Sequence, residues 1–507
     1  MDRKTLLLTV SSGILLVLSF PMVDYDFLVW VAVVPLLIAL KDKTPFQAFM
    51  AGLITGIVYN IGILYWVVFV VVQYGYLPIY IGIFAMLLLS LYLSLYVAVF
   101  SAGVVFFRKR GYSESVTGPL LWTCLEYGKS HLLTGFPWEN LAYSLHNNLH
   151  LIQIVDITGI YGVTFLIVFI NCAIYQLLVI TADTRRQVMA SGAAALIIGG
   201  IILSYGFHRL EAITEMQRQS EVKHVAVIQG NIDQSVKWDR DYQFQTLNIY
   251  RDLTLSASKK KPDLMVWPET AAPFFFQNVD EKQRFITSLA RETNAHLLFG
   301  SPSYTTDGDR QYFQNSAYLV NPDGTIAGRY DKVHLVPYGE YVPLRRFFFF
   351  LDKLVVGVGD FKPGNELNPL IIGDNTAGVL ICYEAIFPAI SRNYRRKGVS
   401  LLVNITNDAW FGTTSAPYQH LTMTAFRAVE NRLYIVRAAN TGISAIIAPT
   451  GEITARTSLY EQAVLDGAIH FVRYRTFYSQ YGDIFAYVCF AAAGMMIIVT
   501  RRRKGSD

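Results

Sequence analysis

Ala377-Gly-Val-Leu-Ile-Cys-Tyr-Glu384 is the stretch on which the reading of this chain turns. Small and apolar residues run up to Cys382, and a carboxylate follows two positions later. A short apolar run of this kind reads as a buried strand. Its break at Cys382 marks the strand end, where a side chain can reach a pocket. Cysteine is also among the most buried residue types, so plain core packing is the competing reading. The remainder of the chain decides between them.

The 507 residues are 53% hydrophobic and only 16% charged, against about 25% charged in a typical soluble domain. With a mean hydropathy of +0.34, this indicates a membrane part joined to a soluble part. The net charge of +5 lies largely in short clusters beside apolar runs. It reads as a topology signal, and basic residues do not alternate with aromatics as a nucleic-acid surface requires. Of the cysteines Cys124, Cys172, Cys382 and Cys489, only Cys382 falls in the polar part of the chain. Their spacing suggests neither a disulfide nor zinc. His146 and His150 are four apart but have no acidic partner in register, so no metal and no cofactor are expected.

Eight apolar runs are candidate spans: residues 5–20, 27–40, 49–72, 78–107, 116–133, 157–180, 188–207 and 484–500. The basic start and first run lack a small-x-small cleavage site and precede a second run, so an uncleaved helix is expected. Arg3/Lys4, Lys41/Lys43, Arg108-Lys-Arg110, Arg185/Arg186 and Arg501-Arg-Arg-Lys504 carry the positive charge. The alternate loops, 22–26, 73–77 and 134–156, contain no Lys or Arg. That alternation fits about eight transmembrane helices with both termini in the cytoplasm. Lys129 is the exception; a cation there can snorkel or meet a lipid head group.

The organisation expected is a polytopic helical membrane domain over 1–207, an extracytoplasmic domain over 208–481, and a closing helix with a basic tail over 482–507. In the middle block, strands are expected at 224–229, 264–267, 297–300, 317–320, 378–382, 401–405, 434–438 and 444–448. Helical patterns occupy 243–259, 280–293 and 417–432, and Asn321-Pro-Asp-Gly324 and Pro449-Thr-Gly451 mark turns. This is the pattern of an α/β sandwich with mixed sheets.

Topology bears on Cys382, because an unpaired thiol outside the cytoplasm risks oxidation unless it is deeply buried or used. Val266-Trp-Pro-Glu-Thr270 places Glu269 just past a strand end, behind a proline that stops pairing. Asp331-Lys-Val-His-Leu-Val-Pro-Tyr-Gly-Glu340 places Lys332 in an apolar and aromatic setting. Alone, each reads equally as a capping Glu or a surface Lys. Together they form a chemical set. A thiol needs a base, which Glu269 supplies if a dry pocket raises its pKa. Attack on a carbonyl makes an oxyanion, which Lys332 can stabilise.

At these residues the chain resembles the nitrilase superfamily, whose Glu-Lys-Cys triad occurs in this order with similar flanks. The apolar multi-helix half, the extracytoplasmic domain and the closing helix together resemble the apolipoprotein N-acyltransferase family. Gln229-Gly-Asn231, Lys237-Trp238, Gly135-Phe-Pro-Trp138, Gln314-Asn-Ser316 and Asn404-Ile-Thr-Asn-Asp-Ala-Trp-Phe-Gly412 agree with it. So do Pro417-Tyr-Gln-His420, Arg427-Ala-Val-Glu430 and Arg437-Ala-Ala-Asn-Thr-Gly442.

The resemblance implies a nitrilase-like αββα sandwich, the triad Glu269, Lys332 and Cys382, and supporting roles for Trp238, Glu340, Tyr383 and Glu384. Glu340 is expected beside the Lys332–Cys382 pair. Glu384 is read either as part of the site or as a carboxylate at a helix N-terminus, and Tyr383 as active or as packing. The implied reaction is acyl transfer in an inner membrane. The partners are a phospholipid donor, typically phosphatidylethanolamine, and a diacylglyceryl-cysteine apolipoprotein acceptor. The alternative is a membrane-tethered amidase that transfers to water. Residues 346–350 and 273–276, both rich in Phe, are read as lids or as core.

Overall fold

The computed structural model describes residues 1–308, 310–341 and 361–504. It divides into two compact units: Met1–Val68, Ile79–Leu210 and Tyr481–Asp507 form the first, Phe69–Pro78 and Glu211–Gln480 the second.

Among the described residues of the first unit and its long exit helix, five helices are long and apolar enough to cross a membrane: Pro45–Leu64, Ile79–Arg108, Ile160–Leu178, Arg185–Arg218 and Ile484–Arg502. The count of eight is thus not reproduced by length and composition. The first run forms a helix of only 16 residues, Arg3–Leu18. The second breaks into a 3-10 turn, Asp26–Trp30, and a six-residue helix, Val34–Ala39. Pro35 lies in the first turn of that helix, the place where a missing N–H costs least. The break leaves backbone groups that lipid cannot satisfy. Asn171 takes them: its amide donates to Val29 O (2.9 Å), and Val33 N donates to its oxygen (2.9 Å).

Small residues let helices Pro45–Leu64 and Ile79–Arg108 approach closely. A Cβ on Gly52 would lie 2.5 Å from Val97 O, and one on Gly56 would lie 2.8 Å from Ser94 Cα. The fifth run forms Glu114–His131, which carries Glu126 and Lys129. Neither is a free intramembrane charge. Glu126 accepts from Leu141 N (2.7 Å) and Thr164 Oγ1 (2.6 Å), and Lys129 donates to Trp138 O (3.2 Å). Both hold the backbone of the loop that follows their own helix, so Lys129 turns inward rather than snorkelling.

The second unit contains two six-stranded mixed sheets. In chain order the strands of the first half are β1 (Val222–Gln229), β2 (Leu264–Val266), β3 (His296–Asp307), β4 (Arg310–Val320) and β5 (Ile326–Asp331). Those of the second half are β6 (Leu370–Ile372), β7 (Asn375–Ile381), β8 (Leu401–Thr406), β9 (Tyr434–Ala439), β10 (Ala445–Ile447), β11 (Ile453–Arg456) and β12 (Ala463–His470). One sheet runs β12-β1-β2-β3-β4-β5, the other β11-β10-β9-β8-β7-β6. The centres, β1-β2-β3 and β7-β8-β9, are parallel. Strands buried on both faces read as continuous apolar runs. Accordingly β8 and β9 are buried at every position.

The sheets face each other, with β1 against β9 and β4 against β7. Helices cover the outer faces. Leu247, Tyr250, Ile286 and Leu289 from Gln243–Ser258 and Glu281–Thr293 pack on Met265, Trp267, Leu297 and Phe299. Phe274 and Phe276 belong to the same cluster, so residues 273–276 are core and not a lid. Residues 346–350 lie outside the described residues. The segment Phe69–Pro78 also packs here: Tyr74 Oη donates to Ala409 O (2.8 Å), and its ring meets Trp410 edge-on at 4.8 Å.

Candidate active site

Three loops deliver the expected triad, each leaving the end of a strand. Past β2, the chain turns at Pro268 and presents Glu269, which is 6% exposed. Gly300 on β3 makes room for this turn, because a Cβ there would lie 2.3 Å from Thr270 N and 2.7 Å from Glu269 Cα. Gly300→Ala is therefore expected to push the Glu269 backbone out of place. A displacement of about 1 Å at a reacting group can cost about 10²-fold. Turnover measured beside thermal unfolding checks this: activity falls far more than stability.

Past β5, Lys332 N donates to Asn315 O (2.8 Å) and Lys332 O accepts from Gly364 N (2.8 Å), which fixes a fully buried lysine. Its ammonium donates to both oxygens of Glu340 at 2.9 Å. Glu340 also accepts from Val336 N (2.8 Å). Past β7, Cys382 opens a 3-10 turn, Cys382–Ile386, with φ +52°. A non-glycine residue there carries about 1–2 kcal/mol of strain. Such a conformation lifts the side chain out of the strand direction, which is why the sheet ends at Ile381 and not at Cys382.

The strained elbow is braced from two sides. Glu384, fully buried, accepts at one oxygen from Tyr330 Oη (2.8 Å), Val333 N (2.8 Å) and His334 N (3.1 Å), and at the other from Ile381 N (2.8 Å). It ties the Lys332 loop to the elbow. Burial pushes its carboxyl up to about 7, while those donors favour the charged form. From the other side, His420 Nε2 lies 3.2 Å from Cys382 O. The imidazole Nδ1 lies 3.1 Å from Asp408 Oδ1, and Arg437 donates to Asp408 Oδ2 (2.5 Å), all fully buried.

Two groups join the carboxylates into one network. Asn315 Nδ2 donates to Glu269 Oε1 (2.6 Å) and to Glu340 Oε1 (3.0 Å). Asn407 N donates to Glu269 Oε2 (2.8 Å). Asn315 and Asn407 lie within Gln314-Asn-Ser316 and Asn404-Ile-Thr-Asn-Asp-Ala-Trp-Phe-Gly412, but the sequence alone assigns neither a role. Nor does it mark Lys237, Asp408 or His420 for chemistry. Trp238 stands apart, 43% exposed beside the buried Lys237. Tyr383 packs edge-on against Phe387 (5.0 Å) and near His334 (5.9 Å).

The charges act on one another. Burial pushes the Cys382 thiol up to about 12, and Glu269 adds to this while Lys332 opposes it. Burial likewise raises the Glu269 carboxyl, with Lys332 pulling it down and Glu340 pushing it up. Lys332 is held as a cation: burial opposes the charge, but Glu340, Cys382 and Glu269 outweigh it. At neutral pH the resting site therefore holds a neutral thiol, a base with raised affinity for a proton, and a fixed positive charge. That set can deprotonate a sulfur and stabilise an oxyanion.

Fold and site together define a protein of the carbon-nitrogen hydrolase class, and the family model described as Carbon-nitrogen hydrolase matches residues 224–478. A second model, described as Apolipoprotein N-acyltransferase N-terminal domain, matches residues 12–173. The chain is 45% identical over 511 residues to "Apolipoprotein N-acyltransferase" of Geobacter metallireducens, covering 99% of this chain and 96% of that protein. Proteins of the same description from Chlorobaculum tepidum (28% over 533 residues, 99% and 97% covered) and Rickettsia prowazekii (32% over 391 residues, 75% of each) are also similar. This chain belongs to the apolipoprotein N-acyltransferase family.

Proposed function

We propose that the chain transfers an acyl group from the sn-1 position of a phospholipid, such as phosphatidylethanolamine, to the N-terminal α-amine of a diacylglyceryl-cysteine apolipoprotein. The observation that carries this reading is a buried neutral thiol on a strained elbow, electrostatically coupled to Glu269 and Lys332, in a chain that aligns over 99% of its length with a relative named apolipoprotein N-acyltransferase.

Chemistry follows from the resting charges. Glu269 takes the Sγ proton as sulfur attacks the ester carbonyl, and Lys332 faces the oxyanion. Collapse breaks the ester C–O bond. The proton passes from Glu269 to the leaving oxygen, and a lysophospholipid departs from a Cys382 thioester. The acceptor amine then attacks the thioester carbonyl. Its proton moves through Glu269 to the departing sulfur, which restores the thiol and leaves an amide. Glu340 and Asn315 hold Lys332 and Glu269 in register, and Glu384 fixes the elbow against the Lys332 loop. Trp238, exposed next to Lys237 in the chain, is left free to meet substrate, while Tyr383 packs.

The basic clusters support a bacterial inner-membrane protein of about eight spans, with both termini cytoplasmic and residues 208–481 on the periplasmic side. The helices Arg3–Leu18 and Glu114–His131, with the broken apolar segment Asp26–Ala39, are the candidates for the spans beyond the five long ones.

The raised Glu269 pKa sets a pH dependence. The base must be ionised to accept the thiol proton, so the rate of thioester formation falls as pH drops through that value. Its midpoint is expected above the ordinary glutamate value of about 4.3, as single-turnover rates across pH would show. The thiol titrates far higher and gives no limb near neutrality. The overall reading is tested by incubation with phosphatidylethanolamine and a synthetic diacylated lipopeptide. Triacylated peptide with released lysophospholipid is the expected result. Free fatty acid with no triacylated peptide would assign a hydrolase instead.

A further inference from the structure

Lys237 is 2% exposed, in the loop after β1. Its ammonium donates to Glu269 O at 3.2 Å. Among the described residues no carboxylate forms an ion pair with it. A buried ammonium lacking an acidic partner is costly, and an apolar side chain of the same length would fill the space without that cost. Its position, one peptide group from the base, suggests what the cost maintains.

Four formal charges lie together here. Glu269 and Glu340 are negative; Lys332 and Lys237 are positive. The groups that bear on Glu269 are Lys332 from beyond β5, Glu340 eight residues later, Lys237 from the loop after β1 and the Cys382 thiol. Asp408 bears on Cys382 from behind the elbow, but Arg437 and His420 pair with it. The two carboxylates are not held equally. Glu340 carries a direct ion pair to Lys332 and a backbone donor. Glu269 is held by two neutral donors, Asn315 Nδ2 and Asn407 N. If Lys237 were neutral, a dry site with one excess negative charge would relieve it by protonating the more weakly held group. That group is Glu269.

We propose that Lys237 is a positioning residue for the base, its buried charge keeping Glu269 ionised so that it can take the Cys382 proton. This rests on Glu269 being that base. Burial lowers the Lys237 pKa to about 8, and Glu269 raises it, so the cation persists at neutral pH. Above about 8 the parent loses the Lys237 charge as well, so parent and charge-free variants converge on the alkaline side.

The test is the single-turnover rate of acyl-enzyme formation from phosphatidylethanolamine between pH 5 and 9, using full-length protein in detergent. Lys237→Met and Lys237→Gln both remove the charge, and Gln keeps a donor for Glu269 O. Both are expected to move the acid limb up by about one pH unit, a tenfold loss on the acid limb, with rates at pH 9 within about threefold of the parent. Lys237→Arg returns the limb toward its original position. A loss equal at every pH, no change, or full recovery in Lys237→Gln would overturn the proposal, since each points to packing or the hydrogen bond alone. Glu269→Gln is run alongside. If it acylates at the parental rate, the base assignment fails, and that failure is separate from an unmoved limb in the Lys237 variants.

Discussion

Cys382→Ser is expected to lose at least about 10⁴-fold in turnover and to form no thioester. The size of the effect follows from what the site supplies. Glu269, its proton affinity raised by burial, can serve as a base for a thiol but falls far short of what a serine hydroxyl requires. Lys332 can stabilise an oxyanion but cannot create a nucleophile. The substitution changes one atom at a position already braced by Glu384 and His420, so the fold is expected to survive with the φ +52° turn intact. Thermal unfolding within a few degrees of the parent, with product below detection, is the outcome to look for in a combined assay. Retained transfer would move the nucleophile elsewhere.

Glu269→Gln is expected to cost about 10²–10⁴-fold, the usual worth of a positioned general base. Here the same carboxylate serves both halves of the reaction, so thioester formation and aminolysis should slow together. The amide keeps the volume and can still accept from Asn407 N, but its NH2 then faces the Asn315 Nδ2 donor, so thermal unfolding is measured beside the rates to separate chemistry from structure. Separate single-turnover rates for the two steps check this. A variant slow in the first step and normal in the second would restrict Glu269 to activating the thiol.

Why these residues were legible in the sequence, and their partners were not, has a physical cause. The strands around β1-β2-β3-β4 and β7-β8-β9-β10 announce themselves because burial on two faces demands unbroken apolar runs. The four strands that the sequence reading missed, β5, β6, β11 and β12, are the four outer strands of the two sheets. Such strands keep one side in water; β11 alternates half-buried and exposed positions, and β12 is half-buried almost throughout. Their apolar signal is diluted to the level of a loop. The second membrane run misled for a related reason. Its composition is apolar, but Pro35 and the Asn171 side chain from a distant helix turn it into a broken element. Composition cannot report a partner so far away in the chain.

Within the site, Glu269, Lys332 and Cys382 stand out because each interrupts apolar sequence at a strand end. Asn315, Asn407 and Lys237 do not, since their importance lies in contacts with Glu269 from three separate places: the middle of β4, the turn just past β8 and the loop after β1. For Glu384 the sequence alone is compatible with either chemistry or structure. Its four donors come from both the elbow and the Lys332 loop, which makes it the bracket between them.

The central claim is a covalent acyl-enzyme at Cys382, and intact-protein mass spectrometry tests it most directly. The protein is incubated with phosphatidylethanolamine alone, then digested to locate any adduct. The expected result is the mass of one acyl chain on the peptide carrying Cys382, labile to hydroxylamine, absent in Cys382→Ser and discharged by a diacylated lipopeptide. An acyl group on any other residue, or an unmodified protein that still releases lysophospholipid, would contradict it.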